Sequence, residues 1–192
     1  MKRVLLSGLL GGVAMFAWGG LSYTVLPWHR MTMLSFRQES VVATALREQA
    51  TQPGVYVVPG FPDAATMKSP AAESAWDAAM KRGPRALVVY RPEGADPKAP
   101  RMFLVGLLLE VAIASLAGGL LGVAAPALPG YWRRVIFVSC FGVLAALTGP
   151  LMEWNWMAYD TSYAVVNALD VIIAFVVVGL VVAALVRPKR AS

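Results

Sequence analysis

Val165–Val186 reads VVNALDVIIAFVVVGLVVAALV, an apolar run broken only by Asn167 and Asp170. At about 1.5 Å per residue, a helix over this stretch is about 33 Å long, enough to cross a hydrocarbon core of roughly 30 Å. Three more runs of comparable length precede it: Val4–Leu26, Met102–Ala125 and Val135–Met152. The predicted fold class is therefore membrane, mainly α, with four transmembrane helices. The 58% hydrophobic composition and mean hydropathy of +0.61 suit a chain that buries apolar surface in lipid rather than in one water-excluding core.

The net charge of +6 is not spread like a nucleic-acid footprint. Lys2 and Arg3 precede the first run, Arg133 and Arg134 separate the second and third, and Arg187, Lys189 and Arg190 follow the fourth. That asymmetry predicts both termini on the cytoplasmic side and residues 27–101 outside it. Arg30 and Arg101 lie near span ends on the wrong side of this rule, although a segment of that length largely escapes it. Lys2-Arg3 followed by Val4–Ala17 also resembles a secretory signal. No A-x-A site follows and the apolar stretch continues to Leu26, so residues 1–26 are expected to stay as an uncleaved anchor. No lipidation pattern is present. The domain plan is 1–26, a first helix; 27–101, an extracytoplasmic cap; 102–186, three more spans; and 187–192, a basic tail.

Residues 27–101 read as a small α-β-α-β insertion. Ser35-Phe-Arg-Gln38 has capping-box spacing, with Val42, Ala45 and Leu46 following at helical intervals. Val55–Val58 and Ala86–Tyr90 are β-branched and aromatic, bounded by Gly and Pro. Ser69-Pro70 opens a helix with Ala72, Trp76, Ala79 and Met80 on one stripe, and Gly83-Pro84 closes it. The connection between the strands is long enough for a parallel crossover, and an antiparallel pair stays open. Two strands make a marginal sheet, so the cap is expected to need the spans or a partner.

Trp18-Gly-Gly-Leu-Ser22 with Leu26-Pro-Trp-His29, Gly54-Val-Tyr-Val-Val-Pro59, and Trp154-Asn-Trp with Asp160 and Asp170 resemble a family of small bacterial four-span inner-membrane proteins of uncharacterised function. The resemblance implies four spans and a location in the bacterial envelope. It brings no catalytic residue with it.

Within the runs, Gly106, Glu110, Ala114, Gly118 and Gly122 recur every four residues, a seam that lets a second helix backbone approach closely. Gly8 and Gly12 form a similar pair in the first run. Glu110 lies about 12 Å and Asp170 about 8 Å below the outer ends of their runs at helical rise. An intramembrane carboxyl is a functional candidate by default. A cluster of Glu110, Asp170, Asn167, His29 and Arg30 could hold a proton or cation, or serve as a structural lock. It requires the carboxyls to share a partner within roughly 4–6 Å. Trp28, Trp154, Trp156 and Tyr159, with His29, also suit anchoring at the lipid–water boundary. Cys140 is expected to be a small packed residue between helices. One His and one Cys make no evident metal set, and Ser22, Ser139 and Ser162 lack a nucleophile elbow, so no cofactor, metal or catalytic residue is assigned. The expected partners are the bilayer and either another protein or further copies of the chain, with no nucleic acid. The leading expectation is a non-enzymatic accessory or scaffold subunit. A small transporter or ion-responsive protein using Glu110 and Asp170 comes second, and an envelope enzyme third.

Overall fold

The computed structural model describes residues 2–188, so Lys189 and Arg190 of the basic tail lie outside the described residues. Its elements are α1 (Lys2–Thr24), α2 (Trp28–Thr32), α3 (Glu39–Gln49), β1 (Gly54–Val58), α4 (Pro70–Arg82), β2 (Ala86–Tyr90), α5 (Pro100–Ala124), α6 (Tyr131–Thr148), α7 (Pro150–Met157) and α8 (Thr161–Leu185). Two compact units result: Met1–Leu34 with Pro97–Ser192, and Ser35–Asp96. The short helix α2 thus belongs with the long helices rather than with the inserted segment.

In the helical unit, α1, α5, α6 with α7, and α8 are each long and apolar enough to cross a membrane. The interior is built mainly of Ala and Val, with Leu121 and Met15 as its larger apolar groups. Ala114, Ala117, Ala164, Ala168, Ala174 and Ala183 are buried, while Leu5, Leu109, Leu116 and Ile136 point outward. Water-soluble bundles have the reverse arrangement, with large apolar groups inside. Helices that pack through Ala and Gly and present Leu and Ile outward follow membrane rules. Helix α1 packs on both α5 and α8, and α8 also packs on α6.

The third apolar run does not continue as one helix to Met152. It breaks at Gly149-Pro150, where proline lacks the N–H a continuing helix needs, and α7 starts with that proline in its first turn. Cys140 is exposed on the outer face of α6 rather than packed between helices.

In the second unit, β1 and β2 pair antiparallel, with Val55 opposite Val89 and Val57 opposite Leu87. The proposed capping box does not form. Ser35 precedes the helix, Gln38 is the N-cap of α3, and no side chain caps it. The Ser69-Pro70 start of α4 and its end at Gly83, where φ is +68°, match the sequence pattern. Ala72, Trp76, Ala79 and Met80 form its half-buried stripe. The Trp76 indole donates to the Gly60 carbonyl at 3.1 Å. No described residue of this unit is fully buried, and Val55, Val89 and Phe61 are 66%, 69% and 75% exposed.

Candidate functional site

The main polar centre lies where α1, α2 and α8 meet. Trp18 and Ser22, one turn apart, face the same way on α1. Beyond Thr24 the chain turns back, and α2 sets Trp28 and His29 over them. Asp170 enters from α8, nine residues into the helix, or about 13 Å from its start. Asp170 Oδ1 accepts from the Trp18 indole at 2.8 Å and from the Ser22 hydroxyl at 2.7 Å. Its Oδ2 lies 3.5 Å from His29 Nε2. The same His29 nitrogen is 3.1 Å from Ser22 Oγ, which also accepts from the Trp28 indole at 3.0 Å.

Proton bookkeeping sets the roles. Ser22 has one proton, and with Asp170 as a carboxylate that proton must lie between the two oxygens. Ser22 Oγ then accepts from Trp28 and His29, which makes His29 Nε2 an N–H donor shared between Ser22 and Asp170. Every close pair has a proton under this assignment. Leaving one of these groups unpaired in an apolar interior would cost free energy, so a fully satisfied network holds its three helices in one arrangement.

Aromatic rings enclose it. Tyr23 stacks on His29 with centroids 3.8 Å apart and planes within 8°, and Trp28 meets His29 and Trp18 edge-on. His29 is 2% exposed and Ser22 fully buried.

A Ser, a His and an Asp side by side invite comparison with a hydrolytic triad, and the geometry differs in the feature that matters. A triad places serine on one imidazole nitrogen and aspartate on the other, so that the ring can take the serine proton. Here both partners meet Nε2, and the serine proton goes to the carboxylate. Ser22 is held as a structural bridge.

Only two members of the sequence-derived cluster, His29 and Asp170, come together. Glu110 is on α5 beside α1, with Gly19 as a neighbour, and its buried Oε2 has no hydrogen-bond partner. Among the described residues no Lys, Arg or His pairs with it. Asn167 donates to the Tyr163 carbonyl of its own helix, one turn back. Arg30 is exposed, since the residue after a buried His29 on so short a helix points away. Depth along a helix does not fix which face a side chain takes, so a similar depth gives Glu110 and Asp170 no shared partner among the described residues. The Trp28 indole N–H and His29 Nε2 turn into the network rather than outward. Trp154 and Trp156 remain exposed, the Trp154 indole donating to Thr161 at 3.0 Å, and Tyr159 packs edge-on against Tyr163. Trp18 and Ser22 were the missed members. Their signal was a serine and an indole one turn apart inside an apolar run.

The seam residues face protein to different degrees. A Cβ on Gly118 would lie 2.7 Å from Ser7 Oγ, and Ala114 is fully buried. The spaces at Gly106 and Gly122 are looser, with nearest atoms at 3.6 and 3.8 Å. The tightest crossing is on the other helix, where a Cβ on Gly8 would overlap Ser115 Oγ and one on Gly12 would meet the Val111 backbone at 2.5–2.6 Å.

Arg134 does not join the exposed basic cluster at its end of the helices. It is 4% exposed and donates to the carbonyls of Leu128, Pro129 and Ala183 at 3.0, 2.8 and 3.3 Å. Tyr131 ties α6 to the same part of α8 through the Leu180 carbonyl at 2.9 Å. No group of three His, Cys, Asp or Glu side chains converges as a metal site among the described residues. No protein-family model, curated protein or solved structure matches this chain.

Proposed function

We propose that the chain is a multi-pass protein of the bacterial inner membrane that acts as a non-enzymatic accessory or scaffold subunit. Both termini are cytoplasmic, and the Ser35–Asp96 unit is the extracytoplasmic part through which it engages another protein or a second copy. One observation carries the interaction role: a unit with two helices and a sheet has no fully buried residue among those described and leaves Val55, Val89 and Phe61 open. A two-stranded sheet with so little cover is marginal alone and gains stability when another surface covers it. The apolar outer faces of the long helices support the membrane location, and the basic clusters support the orientation. The Asp170 network, closed and donor-satisfied, suits a lock that holds α2 against α1 and α8.

A photo-reactive side chain placed at Val89 or Phe61 in living cells tests this reading. Discrete adducts are expected there and not at Asp77, and Val55→Glu should remove the Val89 adduct. No adduct at either apolar position would overturn the interaction role. Reporter fusions after Leu26, Ala99, Gly130 and Ser192 should read outside, outside, inside, inside. A cytoplasmic signal at Ala99 would overturn the topology.

The second reading, a proton-responsive membrane protein, now has a different pair. His29 and Asp170 favour it, being a buried imidazole and carboxylate 3.5 Å apart, in place of Glu110 and Asp170. It predicts a pH-dependent change in the accessibility of α2 that His29→Gln abolishes.

A further inference from the structure

The opposite end of the helical unit, where α1 begins and α8 finishes, holds a cavity of about 710 Å³. Val4, Val123 and Val186 form its apolar walls, and Arg3 and Arg187 are its charged residues. Gly119 also lines it, and a Cβ added there would meet nothing within 4 Å, so the wall is open on that side. Val123 beside it is 83% exposed.

Among the described residues no carboxylate pairs with either guanidinium. The acidic residue of α5, Glu110, is thirteen residues before Val123, or about 19 Å along the helix. Arg187 uses its Nε to donate to the Ala184 carbonyl at 2.8 Å. That bond offsets the negative end of α8 and steadies the planar fork, whose terminal nitrogens have no partner among the described residues. Arg3 likewise has none among the described residues. Two cations without a carboxylate partner among the described residues, set beside an apolar groove, fit an amphipathic anion, with phosphate oxygens taking the bidentate donors and hydrocarbon lying along the valines. The volume is in the range of sites for small organic ligands.

We infer that this cavity is a binding site for an anionic phospholipid, its phosphodiester held between Arg3 and Arg187 and an acyl chain leaving past Gly119 and Val123. The inference rests on the membrane reading above, and basic pockets between membrane helices bind such headgroups elsewhere. It would tie the first turn of α1 to the last turn of α8 through a lipid.

The test uses the full chain purified in neutral detergent, with lipid retention read by native mass spectrometry and stability by thermal unfolding. The probes are phosphatidylglycerol, phosphatidylcholine and inorganic phosphate. Phosphatidylglycerol should be retained about tenfold over phosphatidylcholine, and Arg3→Gln with Arg187→Gln should lower its retention roughly 10- to 30-fold. Gly119→Leu keeps both charges but fills the open wall, so it should reduce phosphatidylglycerol binding and leave phosphate unaffected. Arg3→Lys with Arg187→Lys should keep the preference for the anionic lipid. Equal retention of the two lipids, or a well-folded double Gln variant that still prefers phosphatidylglycerol, would overturn the site. A phosphate effect as large as the lipid effect and insensitive to Gly119→Leu would overturn the lipid assignment. Carbonate washing separates this from failure of the membrane reading. A chain stripped from membranes fails that reading, whereas one that stays but shows no anionic preference fails only here.

Discussion

Ser22 and Asp170 are 148 positions apart in sequence and share a proton across 2.7 Å, a bond that with the Trp18 indole joins α1 to α8 at one carboxylate oxygen. Ser22→Ala removes that bond and also leaves the Trp28 indole without its acceptor. A loss of about 1–2 kcal/mol is expected, the upper part of the range for interhelical hydrogen bonds in membranes. Asp170→Asn keeps an oxygen for Trp18 and Ser22 but turns an amide N–H toward the His29 N–H, so it should cost a similar amount. The double variant should lose less than the two singles combined, since both break one network. Thermal unfolding of the four proteins in one detergent measures the coupling, and strict additivity would contradict a shared network.

The glycines of the helical unit should differ sharply in tolerance. Gly12→Ala drives a methyl into the Val111 backbone, which cannot rotate away as a side chain can, so a loss of about 1–3 kcal/mol is expected. Gly119→Ala meets open space and should be neutral or stabilising by up to about 1 kcal/mol through helix propensity. Gly106→Ala, facing only the ring edge of Phe16 at 3.6 Å, should lie close to Gly119→Ala. Melting temperatures that fall equally for all three would contradict the packing described.

Arg134 should prove more sensitive than its exposed neighbour Arg133. Its guanidinium spans carbonyls on the α5–α6 connection and near the end of α8, a reach and fork that lysine does not reproduce. Arg134→Lys is expected to cost about 1–3 kcal/mol, because the desolvated carbonyls lose their donors, while Arg133→Lys should be silent. Similar unfolding curves for both variants would show the buried contacts to be without consequence.

These residues show what could be read from the chain alone. The four long helices were legible because hydrophobic run length reports directly on helix length in lipid. The stripe of α4 was legible because Ser69-Pro70 and Gly83 bracket a helical period. The site was legible only by type. Asp170 stood out as a carboxyl in an apolar run, but its partners depended on the turn after Thr24 that folds α2 back, and no local pattern encodes that. Arg134 was misread for a related reason. Charge counting assigns an arginine to one side of a membrane, and cannot tell an exposed one from one whose fork ties two helix ends together. The failed capping box at Ser35 shows the limit of spacing rules, since Ser-x-x-Gln carries no information on whether the serine stays outside the helix.

Acid should loosen two surface turns selectively. Asp63 accepts from the Ala65 and Thr66 amides and the Thr66 hydroxyl, and Asp160 caps α8 through the Ser162 and Tyr163 amides and the Ser162 hydroxyl. The Thr66 amide bond foremost at Asp63, and the Ser162 hydroxyl foremost at Asp160, hold each carboxyl below its ordinary value near 3.8. A depressed folded value means these contributions are complete above about pH 4 and fade as pH falls through the lower folded value. Amide protection factors at Thr66 and Tyr163, corrected for intrinsic exchange, should therefore decline in acid. Asp63→Asn and Asp160→Asn should flatten the respective profiles. Protection that is unchanged between neutral pH and pH 3 would contradict the caps.

Glu110 gives the most discriminating measurement, because its environment reverses the expectation drawn from its depth. A carboxyl sharing an ion site with Asp170 would lose a pH- or cation-dependent response on Glu110→Gln while the fold stays intact. A carboxyl with a buried, partnerless Oε2 and, among the described residues, no cation beside it carries a desolvation cost at that oxygen. Glu110→Leu should therefore leave the chain as stable or stabilise it by roughly 1 kcal/mol, since an apolar group of similar length removes the orphaned oxygen. Glu110→Gln should lie between the two, its amide still short of a partner. Asp170→Leu in the same background should be destabilising, as it strands the Trp18, Ser22 and His29 donors together. Opposite signs for the two Leu variants in thermal unfolding would separate the carboxyls into a lock and a bystander. A destabilising Glu110→Leu, coupled to Asp170 in a double-mutant cycle, would restore the paired-carboxyl site.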